Sequence, residues 1–523
     1  MLRVLIALVT VFIVSRLAKL RSGLKAVDHL PGLRCAFTPI SGWGFVIPTS
    51  LNPLLFNPGS NFFWSMKFNG LYPKYDIISI VPWLQGPATI FVSSVEMMRQ
   101  IIGRTDAFDK LTDSPGVYLF GENVASLQRE GWKKHRRILN PAFSPKLYNM
   151  VWNESIRIFH EMATCEGEWK DAPVADVTTL TARFALMVVS SCAYDFRFTW
   201  SDPLPTAASG GEKTIRECFD IALNSIPIRL LAPRWAYSLP SKMLRRVDYA
   251  FNRLTSFSKS QVALRREQMI NGTMDNDNGL GMSAVFNTLV RAGEDDGRFA
   301  LSEREVVGNT FTMLFAGHET TARALSATLA MLSLHQDEQE RVYQEITRVL
   351  PDGREPAFED FDSFTHTRNC FTEAMRLYPP ASVILREAMQ DAVLSITDRD
   401  RGKKVRDVII KKGTLTCIDV IGIHYNPRYF PDPEIFEPSR WEDSTVNTDA
   451  FVGFGHGPRV CIGDRFSIVE SICFLVMLLR TWKVEVNLLN NETLEQWRQR
   501  VLTGKNTVTL CLGEVSLKLT KRS

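Results

Sequence analysis

A mainly α-helical body with a small β region, built round one long central helix, is the fold class that these 523 residues predict. Three observations carry it. Helical patterning dominates from about 94 to 377. One stretch within it, "LSEREVVGNTFTMLFAGHETTARALSATLAMLSL" at 301–334, is unusually long and holds no charged residue from Val306 to Gly317. Residues 77–92, "IISIVPWLQGPATIFV", place β-branched runs on either side of a turn and predict a hairpin.

Each element follows from local chemistry. Ser302 and Glu305 form an S-x-x-E capping box that starts the long helix, predicted over about 303–334. A helix apolar on most sides is buried, and at 1.5 Å per residue this one spans about 45 Å, the width of a whole domain. The chain therefore reads as one body over 26–523 rather than two domains, although its length alone favours two. Pro379 and Pro380 end a second helix, because the residue before a proline avoids the α region. Short β runs, "SVILREA" and "AVLSI", follow. The Asn-, Asp- and Gly-rich stretch at 271–300 reads as surface loop.

Residues 1–25 predict a membrane anchor. Val4 to Val14 is apolar except for Thr10, and Arg16, Lys19, Arg21 and Lys25 follow. That basic bias places the remaining chain on the cytoplasmic side. A cleaved signal peptide and a buried helix are the rival readings; against the first, the basic residues follow the apolar run and no A-x-A site appears.

Composition excludes other classes. Sixty-one basic residues against 57 acidic leave a net charge of +4, too little to argue for nucleic acid. Nine scattered cysteines without a CxxC pair argue against a secreted disulfide scaffold and against a structural zinc site. The triplets at Asn153, Asn271 and Asn491 matter only if they face a lumen.

"FVGFGHGPRVCIG" at 451–463 sets Cys461 in a glycine-rich turn. Gly453, Gly455 and Gly457 alternate without completing the G-x-G-x-x-G of a nucleotide loop. Phe454, Gly457, Arg459, Cys461 and Gly463 match F-x-x-G-x-R-x-C-x-G, so the stretch resembles the haem-binding signature of the cytochrome P450 family. The resemblance implies that Cys461 is the axial thiolate of haem b iron. Ala316-Gly317-His318-Glu319-Thr320 is similar to the family's A-G-x-[D/E]-T segment. By that likeness Ala316 and Gly317 border the haem, with Gly317 opening a groove. Thr320 assists oxygen activation and Glu319 relays protons. His318 has no assigned role. Glu373 and Arg376 look like the family's E-x-x-R, and Phe436 to Arg440 like its F-x-P-x-R, which makes Glu373, Arg376 and Arg440 a structural trio. Trp132 and Arg136 look like W-x-x-x-R, so Arg136, Arg386 and Arg459 become the cations for two haem propionates. Lys133, Lys134 and Arg137 lie off that face and suit either an acidic redox partner or plain solvent.

The resemblance runs from Trp132 to Gly463 and points to the eukaryotic microsomal branch, with a fungal flavour. It implies a P450 fold in which a cytosolic haem domain hangs from a single anchor in the endoplasmic reticulum membrane. The implied reaction inserts one atom of O2 into a lipophilic substrate, such as a terpenoid, another secondary metabolite or an aromatic xenobiotic. Electrons come from NADPH through NADPH-cytochrome P450 reductase, with cytochrome b5 as an optional second donor. Family position suggests substrate contacts at Val117, Phe120, Phe311, Phe315, Val383, Ile384, Leu502 and Thr503. Two rivals keep the fold: a peroxide isomerase or dehydratase that needs no reductase, and a non-catalytic haem-binding protein. Thr320 beside Glu319 argues against the first. Two features depart from the family pattern: a hinge reduced to Leu30-Pro31-Gly32, and Asp464 directly after the signature.

Overall fold

The computed structural model describes residues 1–47, 49, 56–112, 121–169, 176–196, 198–201, 213–271, 284–295, 297–398, 404–489 and 491–522. The predicted long helix is Glu303–Leu334. Both halves of its capping box form: the Ser302 hydroxyl accepts from Glu305 N, and Glu305 accepts from Ser302 N. It packs along Val177–Tyr194, and Thr181 Oγ1 ties the pair by bonding Ala322 O and Ser326 Oγ. Val177–Tyr194 is long and apolar enough to span a bilayer, yet it lies mostly buried in the core, as an all-round apolar helix of a large domain does.

The predicted hairpin also forms. Ile77–Ile80 pairs antiparallel with Thr89–Val92, with Ile77 opposite Val92. These strands belong to a six-stranded sheet ordered Gly32–Leu33, Ile77–Ile80, Thr89–Val92, Leu415–Asp419, Val383–Ala388 and Phe108–Asp109. Thr89–Val92 runs parallel to Leu415–Asp419. The edge strand Phe108–Asp109 sets Asp109 opposite Glu387. That pairing brings Lys110 and Arg386 to one corner of the molecule.

Leu2–Ala26 is a single helix whose apolar side chains stand in the open as far as Leu17. Its second half rests on the sheet. Arg16 and Lys19 both donate to Leu84 O, and Leu20 and Leu24 pack on the apolar cluster beneath the sheet. A Cβ on Gly23 would lie 2.5 Å from Val81 Cγ1, so only glycine allows that approach.

The Glu373 carboxylate organises the core beside the long helix. It is wholly buried, and Arg376 grips it through two nitrogens at 2.9 and 2.8 Å. Arg440 Nε donates at 2.9 Å, Trp441 Nε1 at 3.1 Å and Glu437 N at 3.1 Å. The other Arg376 hydrogens reach the carbonyls of His424, Pro433 and Ile435. Removing one member of such a buried set strands the others' charges, at a cost of about 3–5 kcal/mol. We expect Glu373→Ala to abolish recovery of soluble, monodisperse protein by size exclusion. Lys133→Ala, which removes only the exposed Lys133–Glu130 pair, should be indistinguishable from wild type.

Candidate active site

The cysteine loop is built to present a sulfur. Gly455 and Gly457 take φ of 77° and 71°, in the left-handed region. At Gly457 a Cβ would also strike Ile102 at 2.5 Å. The turn lets Cys461 N donate to Phe454 O at 2.9 Å. The helix Asp464–Leu479 starts three residues on, so its N-terminal dipole faces the thiol. Cys461 is exposed to the space before it, but the protein packed around it desolvates the thiol and pushes it above its usual range, while hydrogen bonding from the Gly463 backbone and the nearby Arg136 guanidinium oppose that rise.

Cys461 opens onto a cavity of about 450 Å³ between the long helix, the cysteine loop and the Val383–Ala388 strand. Ala316, Gly317 and Thr320 line it from the helix; Val383 and Ile384 line it from the strand; Phe454, Arg459 and Gly463 line it from the loop. Thr320 Oγ1 donates back to Ala316 O at 2.8 Å, as a mid-helix threonine does.

One end of the cavity is cationic. Lys110, Arg386 and Arg459 all line it. Arg459 pairs with Asp109 at 2.5 Å, donates to Leu127 O, and stacks at 4.4 Å over the Trp132 ring. Asp109 is the carboxylate that answers these three positive charges among the described residues. Burial together with repulsion from Arg386 and Arg459 lowers the Lys110 ammonium to about 7. Burial, then repulsion from Arg459, brings Arg386 down to about 10. An anionic ligand with its acid groups at this end would relieve both.

Several expectations are corrected by these positions. Arg136 does not line the cavity; its Nη1 donates to Val460 O at 2.9 Å, beside Cys461. Lys110 is the cation that lines the cavity beside Arg386 and Arg459. Trp132 supports Arg459 from outside the cavity wall. Gly317 serves close packing as well as the cavity, since a Cβ there would lie 2.9 Å from Val189 Cγ2. Glu319 faces away from the cavity: Arg323 holds its carboxylate at 2.9 Å and Thr509 Oγ1 donates to it at 3.0 Å. Glu319 is the neighbour of Thr320 on the helix, but these two partners hold its carboxylate away from the cavity that Thr320 lines.

Of the expected substrate contacts, Val383 and Ile384 line the cavity. Phe311 is buried against Phe219, with ring centroids 5.6 Å apart, and does not line it. Phe315 packs near His318. Leu502 packs on the core, and Thr503 is exposed with its hydroxyl on Gln499 O. Val117 and Phe120 lie outside the described residues. His318 is buried and bonded to Leu314 O, which makes it a packing residue.

Sequence reasoning missed His424. It is wholly buried, and Val452 N donates to its Nε2 at 3.0 Å while its Nδ1 faces Arg376 O at 2.9 Å. Phe451 stacks on the ring at 5.5 Å. Burial and Arg376 depress its pKa to about 3, so the ring stays neutral, with Nδ1 protonated and Nε2 free to accept. His424 thus hangs the start of the cysteine loop from the Glu373 network.

The family model described as cytochrome P450 matches residues 55–512. The chain belongs to the cytochrome P450 family. Cytochrome P450 monooxygenase 124 of Postia placenta is 31% identical over 94% of this chain and 93% of that one. Cyclooctat-9-en-7-ol 5-monooxygenase of Streptomyces melanosporofaciens is 28% identical over 76% of this chain and 81% of its own. Human cytochrome P450 4F2 is 27% identical over 82% and 84%. The solved haem domain of cytochrome P450DA superposes with a TM-score of 0.73 at 19% identity, covering 94% of this chain and 98% of that domain. The fold is therefore the P450 fold, and the chain is a monooxygenase of this P450 family.

Membership implies haem, and the site fits one. A thiol faces the cavity floor, and a Cβ on Gly463 would meet nothing within 4 Å, which leaves a flat approach beside the sulfur. The three cations suit two carboxylates. A charge-assisted bond in such a place is worth about 1.5–3 kcal/mol, or roughly tenfold or more in retention. Lys110→Met and Arg386→Ala should each speed haem loss to an acceptor globin by about that factor, with an unchanged far-ultraviolet spectrum.

Proposed function

We propose that this P450 hydroxylates a neutral lipophilic molecule, with Cys461 as the iron ligand. The observation that carries the reading is the meeting of the Cys461 thiol, the Thr320 hydroxyl and three under-compensated cations round one cavity. Haem b held there supplies the redox chemistry, in which O2 and two electrons yield one oxygen atom in substrate and one in water.

The chain's own residues do the rest. Lys110, Arg386 and Arg459 would hold the two haem carboxylates. Phe454, Gly457 and Gly463 hold the loop against the ring. Thr320 offers a hydroxyl inside the cavity: it surrenders the bond to Ala316 O and passes a proton inward. Glu319, tied to Arg323 and Thr509 behind the helix, takes protons from the solvent side and supplies them through rotation of its carboxylate or a bridging water. Val383, Ile384 and Met313 present apolar surface to the substrate and exclude water. One relative's name gives its substrate as cyclooctat-9-en-7-ol, an alcohol on a hydrocarbon skeleton, which is the chemical class this wall would accept.

Electrons come from NADPH through a flavoprotein reductase, with cytochrome b5 as the optional second donor. Lys133, Lys134 and Arg137 are engaged by Glu130, Glu305 and the Phe299 ring, so a docking partner must compete for them. The protein sits on the endoplasmic reticulum membrane. The exposed apolar length of Leu2–Ala26 supports this, as do Trp43, Leu231, Trp235 and Met243, which are all more than two-fifths exposed.

Reduced carbon monoxide difference spectra, paired with NADPH and oxygen consumption in the presence of reductase, test the assignment. Cys461→Ala should lose the thiolate-type Soret band. Thr320→Ala should keep it but divert most reducing equivalents to peroxide. Thr509→Val should also keep it and raise peroxide release several-fold, with a larger solvent isotope effect. A thiolate band that survives Cys461→Ala would refute the ligand assignment.

A further inference from the structure

A second cluster of ligating side chains lies far from this chemistry in role. Glu338 stands in the first turn of the helix Gln336–Val349, and His366 and Cys370 are four residues apart on the helix Thr365–Leu377. Residues four apart share a helix face. His366 Nε2 lies 2.9 Å from Glu338 Oε2 and 3.7 Å from Cys370 Sγ, and the three donor atoms all fall within 4.8 Å of one another. His366 and Cys370 are buried, while Glu338 keeps an opening to solvent.

We propose that Glu338, His366 and Cys370 form a site for a thiophilic divalent cation, Zn²⁺ in the first instance, that staples these two helices together. The donor set decides the class of ion. One sulfur, one imidazole and one carboxylate suit zinc, whereas magnesium and calcium want oxygen alone. Metal–ligand bonds of about 2.0–2.3 Å put tetrahedral donors roughly 3.3–3.8 Å apart. The Cys370–His366 spacing already falls there. The Glu338–His366 contact opens by about half an ångström as the cation replaces a hydrogen bond. Water fills the fourth position on the Glu338 side. The Cys370 thiol loses its proton to solvent as the metal–sulfur bond forms.

The surroundings are arranged for this. His366 Nδ1 is buried without a hydrogen bond and lies 3.8 Å from Glu442 Oε1, the position of a carboxylate that orients a ligating histidine. Glu345 accepts from His366 N, Thr367 N and Thr367 Oγ1, which fixes the turn carrying His366. Arg341 competes for the same carboxylates, at 3.1 Å from Glu338 and 3.6 Å from Glu442, but its side chain is 45% exposed and free to swing out. Glu373 sits on the same helix three residues past Cys370, so the staple would brace the network that holds the cysteine loop. Scattered cysteines argue in sequence against a zinc site; here the fold supplies what the spacing does not.

The test uses haem-loaded enzyme dialysed against chelator, then titrated with zinc chloride. Elemental analysis after desalting should find one bound zinc per chain, and excess magnesium should not displace it. Zinc should raise the melting temperature of the wild type. Cys370→Ser should bind at least tenfold more weakly. Glu338→Gln, at the partly exposed ligand and therefore expected to fold, should do the same and lose the melting shift. Absence of stoichiometric zinc, or wild-type affinity in both variants, overturns the proposal.

Discussion

The Glu373 carboxylate accepts five hydrogen bonds in a place that water does not reach. Two guanidinium groups, one indole and one backbone amide point at it, and each is held by something else. Arg376 also closes on three carbonyls of the segment after His424, and Arg440 on Pro431 O. A segment with little regular structure, from 425 to 452, is thereby given one conformation. Isolated ion pairs of this kind add little to stability, because desolvation offsets attraction. A saturated one fixes geometry, since every alternative arrangement leaves a buried charge without a partner.

That fixed segment is what aims the sulfur. The path from Glu373 to Cys461 runs through Arg376 O, the neutral His424 ring, Val452 N and the turn closed by Cys461 N on Phe454 O. Each link is a single hydrogen bond, and each depends on the previous one holding position. A protonated His424 could not accept from Val452 N, so the depressed pKa of that ring is part of the support. The opposite design rules the cation end. There the charges are left under-compensated, and Lys110 is held near neutrality. A fold that tolerates this tension reserves the place for an anion, as binding sites do at some cost to the empty protein.

Elements defined by local rules were legible in the sequence. The Ser302 capping box and an uncharged helical stretch gave the long helix to within a residue at its start, and β-branched runs gave the hairpin. The trio of Glu373, Arg376 and Arg440 was legible through its motif, and so was Cys461. Lys110 and His424 were not. A lone lysine after "FD" and a lone histidine in "GIHYN" carry no spacing signal; only the pairing of Phe108–Asp109 with Val383–Ala388 and the path of the 425–452 segment give them roles. Of the expected substrate contacts, Val383 and Ile384 line the cavity, whereas side-chain direction on a buried helix depends on rotation that family position does not fix. Phe311 turns into the core, and Thr503 turns to its own helix.

The long helix resolves the pairing of Glu319 with Thr320 differently from a relay of two neighbours in one space. The Thr320 hydroxyl lines the cavity, while Arg323 and Thr509 hold the Glu319 carboxylate behind the helix. The acid is buried beside the C-terminal hairpin, Lys505–Asn506 with Leu510–Cys511, where Thr509 meets it. The Ala316 carbonyl, on the Thr320 side, accepts from the Thr320 hydroxyl, a bond that slightly destabilises a helix interior. Gly317 one residue on draws Val189 close and closes the remaining gap. The segment at 316–320 thus divides by contact: Gly317 and His318 pack in the core, Glu319 is tied to Arg323 and Thr509, and Thr320 lines the cavity.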